Sequence, residues 1–192
     1  MITTRGTGDH DGVEQVITMA WRAHAGKSTT GAILARRLGL SFVDLDKEVA
    51  AGVGDISTFI DRHGYEAYAC CNVETYHRLQ QRARPPGVVA LSSGFMVYPP
   101  DTHPDYEHIR TKVAESPTTF VLLPSTDLET CVAEIVRRQL SRAFSRSALK
   151  EEEVIRARFR LYLGLPATAI STMRPAREVA EEIAMRVAAA TP

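Results

Sequence analysis

The 192-residue sequence predicts an α/β fold in which helices cover both faces of a five-stranded parallel sheet. Two observations predict this fold. Short apolar runs alternate with longer helical stretches, an order typical of parallel sheets. The first apolar run also leads directly into Gly26, Lys27, Ser28 and Thr29, which match the end of a phosphate-binding loop at the start of a helix.

The predicted elements follow one another without a linker that would divide the chain. The polar, Gly-rich residues 1–13 are expected to form a flexible lead-in, and residues 14–192 to form one domain. Strands are expected at 14–21, 40–46, 88–93, 118–125 and 167–172. The first helix is expected to begin after Lys27 and to stop at Gly39. Further helices are expected at 56–62, 67–82, 105–114, 127–140, 151–163 and 175–190.

Composition excludes several classes of function. The 23 Lys and Arg residues balance the 23 Asp and Glu residues, so no nucleic-acid partner is expected. The chain has no apolar run long enough for a membrane span, and its N-terminus lacks the apolar core of a signal peptide. Its three cysteines have no zinc-site spacing, and two of them, Cys70 and Cys71, are adjacent. We therefore expect a reduced, cytoplasmic protein without a membrane partner.

The phosphate loop predicts the cofactors ATP and Mg²⁺. Lys27 would reach the β- and γ-phosphates, and the Ser28 hydroxyl would be a Mg²⁺ ligand. The rest of the expected nucleotide contact comes from the neighbouring loop residues His24, Ala25, Gly26 and Thr29. His24 has two equal interpretations, a phosphate hydrogen-bond donor or a solvated loop residue.

The start of this loop departs from the pattern G-x-x-x-x-G-K-[ST], because Trp21 stands where the first glycine belongs. We expect Trp21 to have an ordinary negative φ and a ring that points away from the nucleotide.

Two aspartates follow the second strand, in the stretch FVDLD. Asp44 and Asp46 are two residues apart, so on a strand they would share one face at its carboxyl end, where ligands bind in open parallel sheets. One carboxylate could hold the water shell of Mg²⁺, and the other could orient or deprotonate an acceptor hydroxyl. The alternative is that Asp46 caps the next helix.

Taken together, the loop and the FVDLD stretch resemble those of the shikimate kinase family, small P-loop kinases, over about residues 16–187. The resemblance implies that Asp44 assists magnesium and that Asp46 binds the acceptor hydroxyls. The stretch RFRLY is similar to the family's R-x-x-L-Y, so Arg158 is expected to bind the acceptor. The resemblance also implies a lid arginine, Arg142 or as second choice Arg146.

The family's adenine pocket has its nearest matches in Arg138 and in residues 173–175, which include Pro175.

Two departures from the family pattern fall in the acceptor pocket. In YACCN, Ala69 stands at the position of a carboxylate-binding arginine and Asn72 at that of a glutamate. The family's glycine triplet becomes Ser92, Ser93 and Gly94. A carboxylate on the acceptor would lose one charged hydrogen-bonding partner, and the pocket would gain two serine hydroxyls.

We therefore expect an ATP-dependent kinase that phosphorylates a hydroxyl of a small polar metabolite, a shikimate-like cyclic polyol or a sugar alcohol. The predicted catalytic residues are Lys27, Asp46 and Arg142. The alternative is a kinase-like sensor module that binds a small ligand without turnover. The chain is expected to be a monomer or a homodimer.

Overall fold

The structure is a computed structural model, and it describes residues 16–21, 25–140 and 148–190. Its five strands form one sheet in the order β2-β3-β1-β4-β5, and all four pairings are parallel. The predicted α/β fold is therefore confirmed. The strands are Ile17–Ala20 (β1), Phe42–Asp44 (β2), Val88–Ala90 (β3), Thr119–Leu123 (β4) and Thr168–Ser171 (β5).

Seven α-helices lie within the described ranges: Lys27–Leu38 (α1), Leu45–Val53 (α2), Ile56–Gln80 (α3), Tyr106–Glu115 (α4), Leu128–Leu140 (α5), Ala148–Leu163 (α6) and Ala176–Ala190 (α7). The helical stretches predicted at 56–62 and 67–82 are both present within α3, and the non-helical residue Gly64, with φ +85° and ψ 163°, separates them. Within the described residues, the predicted strands extend one to three residues beyond the observed strand ends.

The alternation of side chains along the strands divides the core between the two faces of the sheet. Ile17 and Met19 face a cluster that is completed by side chains of α1 and α7. Val121 and Leu123 face the larger cluster, to which α3, α4, α5 and α6 contribute. Burial on both faces explains why the strands are continuous apolar runs.

The topology places a crevice at the carboxyl end of β1. The chain passes from β1 to β2 across β3, whereas β4 lies on the other side of β1. Ligands of open α/β sheets bind where the strand order reverses in this way. Within the described residues, no helix combines the length and apolar character needed to span a membrane.

Candidate active site

The residues that follow β1 lead into the N-terminus of α1. Gly26 has φ +91° and caps the helix, a left-handed conformation that glycine adopts without strain. Ala25 is fully buried, whereas Ser28 and Thr29 are exposed on the first turn. Backbone N–H groups at a helix N-terminus form the arrangement that binds phosphate. His24 lies outside the described residues.

The Lys27 side chain folds back over the loop. It is 6% exposed, and its Nζ donates a hydrogen bond to the Trp21 carbonyl oxygen at 2.6 Å. The ammonium group is therefore positioned at the helix N-terminus by the backbone of the loop's first residue.

The expectation of a negative φ at Trp21 is wrong. Its φ is +112°, and it is the one non-glycine residue with a positive φ in the described part of the chain. The ring is 1% exposed and meets Tyr162 and Phe159 of α6 edge-on, at centroid distances of 4.7 and 6.1 Å. Burial of this ring offsets the backbone strain, so a tryptophan retains the conformation for which the loop pattern uses glycine.

Asp44 and Asp46 do not share a strand, contrary to the prediction. β2 ends at Asp44, which caps α2 by accepting a hydrogen bond from the Asp46 N–H at 3.2 Å. Asp46 lies in the first turn of α2, so the cap is Asp44 and not Asp46. The Ser28 hydroxyl donates a hydrogen bond to the Asp44 carboxylate. The structure thus joins Ser28 of the phosphate loop to the carboxyl end of β2.

The Asp46 carboxylate lies against the long helix α3. It accepts a hydrogen bond from the Tyr68 hydroxyl at 2.7 Å. Burial and then the nearby Asp46 charge raise the pKa of Tyr68 well above its usual range, so its hydroxyl stays protonated as a donor. Sequence reasoning missed Tyr68, since it belongs to none of the quoted motifs.

Arg158 of α6 reaches the residues that follow β3. A Cβ on Gly94 would lie 2.7 Å from Arg158 Nη1, and Gly94 itself has φ +98°. The Arg158 Nη2 donates to the Tyr65 hydroxyl at 3.2 Å, and its guanidinium lies 6.0 Å from the centre of the Tyr65 ring. Arg158 and Gly94 are therefore brought together as predicted, with Tyr65 as an additional contact that the sequence did not reveal.

The other acceptor-side residues are buried to different degrees. Ser92 is 1% exposed and its hydroxyl acts on the Tyr68 hydroxyl, while Ser93 is partly buried. Ala69 is packed into the larger core. Asn72 is fully buried and donates from Nδ2 to the Tyr68 carbonyl at 2.8 Å.

At the opposite end of the crevice, Arg138 contacts the loop before α7. Its guanidinium donates to the Thr172 hydroxyl at 3.1 Å and to the Thr172 carbonyl at 2.6 Å. Beside this contact, Met173 borders an open pocket of about 370 Å³ between the ends of β4 and β5. Pro175 is exposed just before α7. The lid candidates Arg142 and Arg146 lie outside the described residues.

Comparison with known proteins identifies the family. The family model for shikimate kinase matches residues 24–188. The chain belongs to the shikimate kinase family. A shikimate kinase of Thermobifida fusca is 30% identical over 83% of this chain and 86% of its own length. One of Paracidovorax citrulli is 35% identical over 54% of this chain, and that match spans about half of the relative, 52%.

The solved shikimate kinase from Acinetobacter baumannii, in complex with shikimate, has the same fold, with a TM-score of 0.69. Its sequence identity is 19%, and the likeness covers 93% of this chain and 96% of that one. Membership of the shikimate kinase family confirms the predicted class, an ATP-dependent small-molecule kinase and phosphotransferase with a hydroxyl acceptor.

Proposed function

We propose that this shikimate kinase family member transfers the γ-phosphoryl group of ATP to a hydroxyl of a shikimate-like cyclic polyol or a sugar alcohol. The observation that carries the proposal is the contact between Ser28 and Asp44, with Asp46 two residues further on. This contact supports the proposal because it brings Ser28 and Asp44 together at the carboxyl end of the strands, beside a helix N-terminus that suits phosphate.

ATP would be held by the loop residues Ala25, Gly26, Lys27 and Thr29, with His24 beside them. Lys27 would leave the Trp21 carbonyl and neutralise charge that develops on the transferred phosphoryl group, together with a lid arginine, Arg142. Arg138 and Pro175 would border the adenine base of ATP.

The oxygen donors of Ser28 and Asp44 fit a magnesium ion. Mg²⁺ prefers oxygen ligands and retains several waters, so one hydroxyl and one carboxylate are a sufficient protein contribution. No group of three or more His, Cys, Asp or Glu side chains suited to a metal occurs in the described ranges, which is consistent with such a water-rich site. When bound, the ion would neutralise charge on the phosphates.

On the acceptor side, Asp46 would orient the reacting hydroxyl and accept its proton. Arg158 would bind a polar substituent of the acceptor, with Ser92, Ser93 and Gly94 lining the same surface. Residues 14–192 would act as one domain, in a cytoplasmic monomer or homodimer.

The test is a coupled ADP-release screen over shikimate, quinate, cyclitols, gluconate and small alcohols, with Lys27→Ala as the decisive variant. Turnover should be abolished and ATP binding weakened, because the phosphates lose their lysine partner. The control is Lys112→Ala, an exposed lysine on α4, which should leave both unchanged. Unchanged binding and turnover in Lys27→Ala would refute the phosphate-loop assignment.

The second candidate is the sensor module, motivated by Trp21 at the start of the loop. ATP binding without ADP release for any acceptor in the screen would favour it. The position of the Trp21 ring is evidence against it, because a ring that is 1% exposed in the core cannot fill an open nucleotide pocket.

A further inference from the structure

Four of the six tyrosines in the chain meet beside Asp46. We call Tyr65, Tyr68, Tyr98 and Tyr162 the tyrosine cluster. The Tyr65 ring lies 5.7 Å from the Tyr68 ring and 6.0 Å from the Tyr98 ring, measured between centroids. The four side chains come from α3, α6 and the segment after β3, so tertiary structure alone assembles them.

The cluster lies close enough to the Asp46 carboxylate for its charge to raise the pKa of Tyr68 and of Tyr98. Burial raises the pKa of Tyr98 well above its usual range, and Tyr65, Tyr68, Tyr162 and Asp46 raise it further. Burial also raises the pKa of Tyr162 to about 12. Both phenols are therefore protonated at neutral pH and available as hydrogen-bond donors.

Two buried polar atoms around the cluster have no hydrogen-bond partner in the described part of the chain. They are the Tyr98 hydroxyl and the Oδ1 atom of Asn72. The side chains of Asn72 and Ser92 both act on the Tyr68 hydroxyl, which places them on the Asp46 side. Buried polar groups are paired in almost all native proteins, so a concentration of unpaired ones indicates a missing partner.

Two opposite charges contact the cluster. Asp46 contributes one negative charge, and Arg158 contributes one positive charge that already contacts the Tyr65 hydroxyl and ring. Position 69, where the family resemblance implies a second arginine, is an alanine that is 1% exposed.

We propose that the tyrosine cluster and Ser92 recognise the acceptor of the proposed kinase reaction, and that the acceptor is an uncharged ring carrying several hydroxyls. This inference rests on the proposed function. A ring hydroxyl both donates and accepts, so it matches the hydroxyls of Ser92, Tyr98 and Tyr162 and also the acceptor atoms of Asp46 and Asn72. A carboxylate only accepts, so it cannot satisfy Asn72 Oδ1, and with the buried alanine at position 69 its charge would be matched by Arg158 alone.

The test compares Tyr98→Phe with Tyr106→Phe, each of which removes one tyrosine hydroxyl. In Tyr98→Phe the lost hydroxyl has no hydrogen-bond partner among the described residues, so the melting temperature should not fall. The KM for a neutral cyclitol, with myo-inositol as the probe, should rise about tenfold, equivalent to about 1.4 kcal/mol. Ser92→Ala should raise this KM as well.

Tyr106→Phe is the matched structural control. Its hydroxyl donates to the Phe95 carbonyl at 2.7 Å and accepts from the Tyr98 N–H at 2.9 Å. This variant should therefore melt at a lower temperature, while the KM of its folded fraction for myo-inositol stays within about twofold of the parent. A lowered melting temperature in Tyr98→Phe with an unchanged KM would assign Tyr98 a structural role and overturn the inference.

Wild-type specificity separates this inference from the proposed function. With the parent enzyme, kcat/KM for myo-inositol should exceed that for shikimate or quinate by at least about tenfold. A preference for either carboxylated ring would overturn the inference and leave the kinase activity established. Failure to phosphorylate any acceptor, with ATP binding unaffected by Lys27→Ala, would refute the proposed function itself.

Discussion

Replacement of Trp21 by glycine and by alanine tests the unusual start of the phosphate loop. Both substitutions remove a ring that is 1% exposed and contacts Tyr162 and Phe159. Only glycine also removes the strain of φ +112°, because alanine retains a Cβ. The difference in stability between the two variants therefore measures the backbone strain alone.

The magnitudes follow from the burial and the dihedral angle. Truncation of a buried tryptophan costs about 3–5 kcal/mol of unfolding free energy. Relief of a strained positive φ returns about 1–3 kcal/mol. Trp21→Ala should therefore be destabilised by about 3–5 kcal/mol, and Trp21→Gly should be more stable than Trp21→Ala by about 1–3 kcal/mol.

Equilibrium urea unfolding, with both variants fitted to a common slope, gives the difference. If residue 21 had a negative φ, glycine would instead be the less stable of the two, by about 0.5–1 kcal/mol. If Trp21→Ala proved more stable than Trp21→Gly, the positive φ of residue 21 would therefore be refuted. Turnover of Trp21→Gly, measured well below its melting temperature, should stay within about tenfold of the parent, since the Trp21 carbonyl that holds Lys27 is backbone.

Three further variants address the acceptor side. Asp46→Asn should lower turnover at least about 100-fold by removing the proton acceptor, while calorimetry shows an ATP Kd within about threefold of the parent; a comparable loss of ATP binding would contradict this role. Arg158→Ala should raise the acceptor KM about ten- to a hundredfold and the ATP KM far less in steady-state assays, and an equal rise in both would argue against acceptor contact. Gly94→Ala should lower stability and raise the acceptor KM, because its Cβ would lie 2.7 Å from Arg158 Nη1. The control Gly39→Ala, at φ +68° with nothing within 4 Å, should show the stability loss alone, and an equal KM change there would refute the steric explanation.

The alternation of apolar runs with helical stretches was sufficient to predict the sheet, because strands buried on both faces must be apolar throughout. Local signals at helix ends were also reliable. Gly39 ends α1 in a left-handed conformation, as its position after the apolar face predicts. Such signals depend on a few neighbouring residues, which is why they can be read from sequence.

Other features depend on contacts between distant segments. The pattern FVDLD did not show whether the strand would extend through Asp46, and the cap formed by Asp44 ended it two residues earlier. The positive φ of Trp21 depends on α6, more than 130 positions away, which buries the ring; the only local hint was that the loop pattern expects glycine there.

The two departures from the family pattern have different physical consequences. At position 21 the glycine is lost but its backbone conformation is kept, and the loop carbonyl accepts a hydrogen bond from Lys27 at 2.6 Å. At position 69 no such compensation occurs, because the resemblance implies a charged arginine there and the buried alanine carries no charge. The Tyr98 hydroxyl, which has no hydrogen-bond partner among the described residues, lies on that side of the site. Under the proposed function, the change in the acceptor pocket would therefore be one of chemistry, from charge toward hydroxyl recognition, whereas the change in the phosphate loop is one of packing.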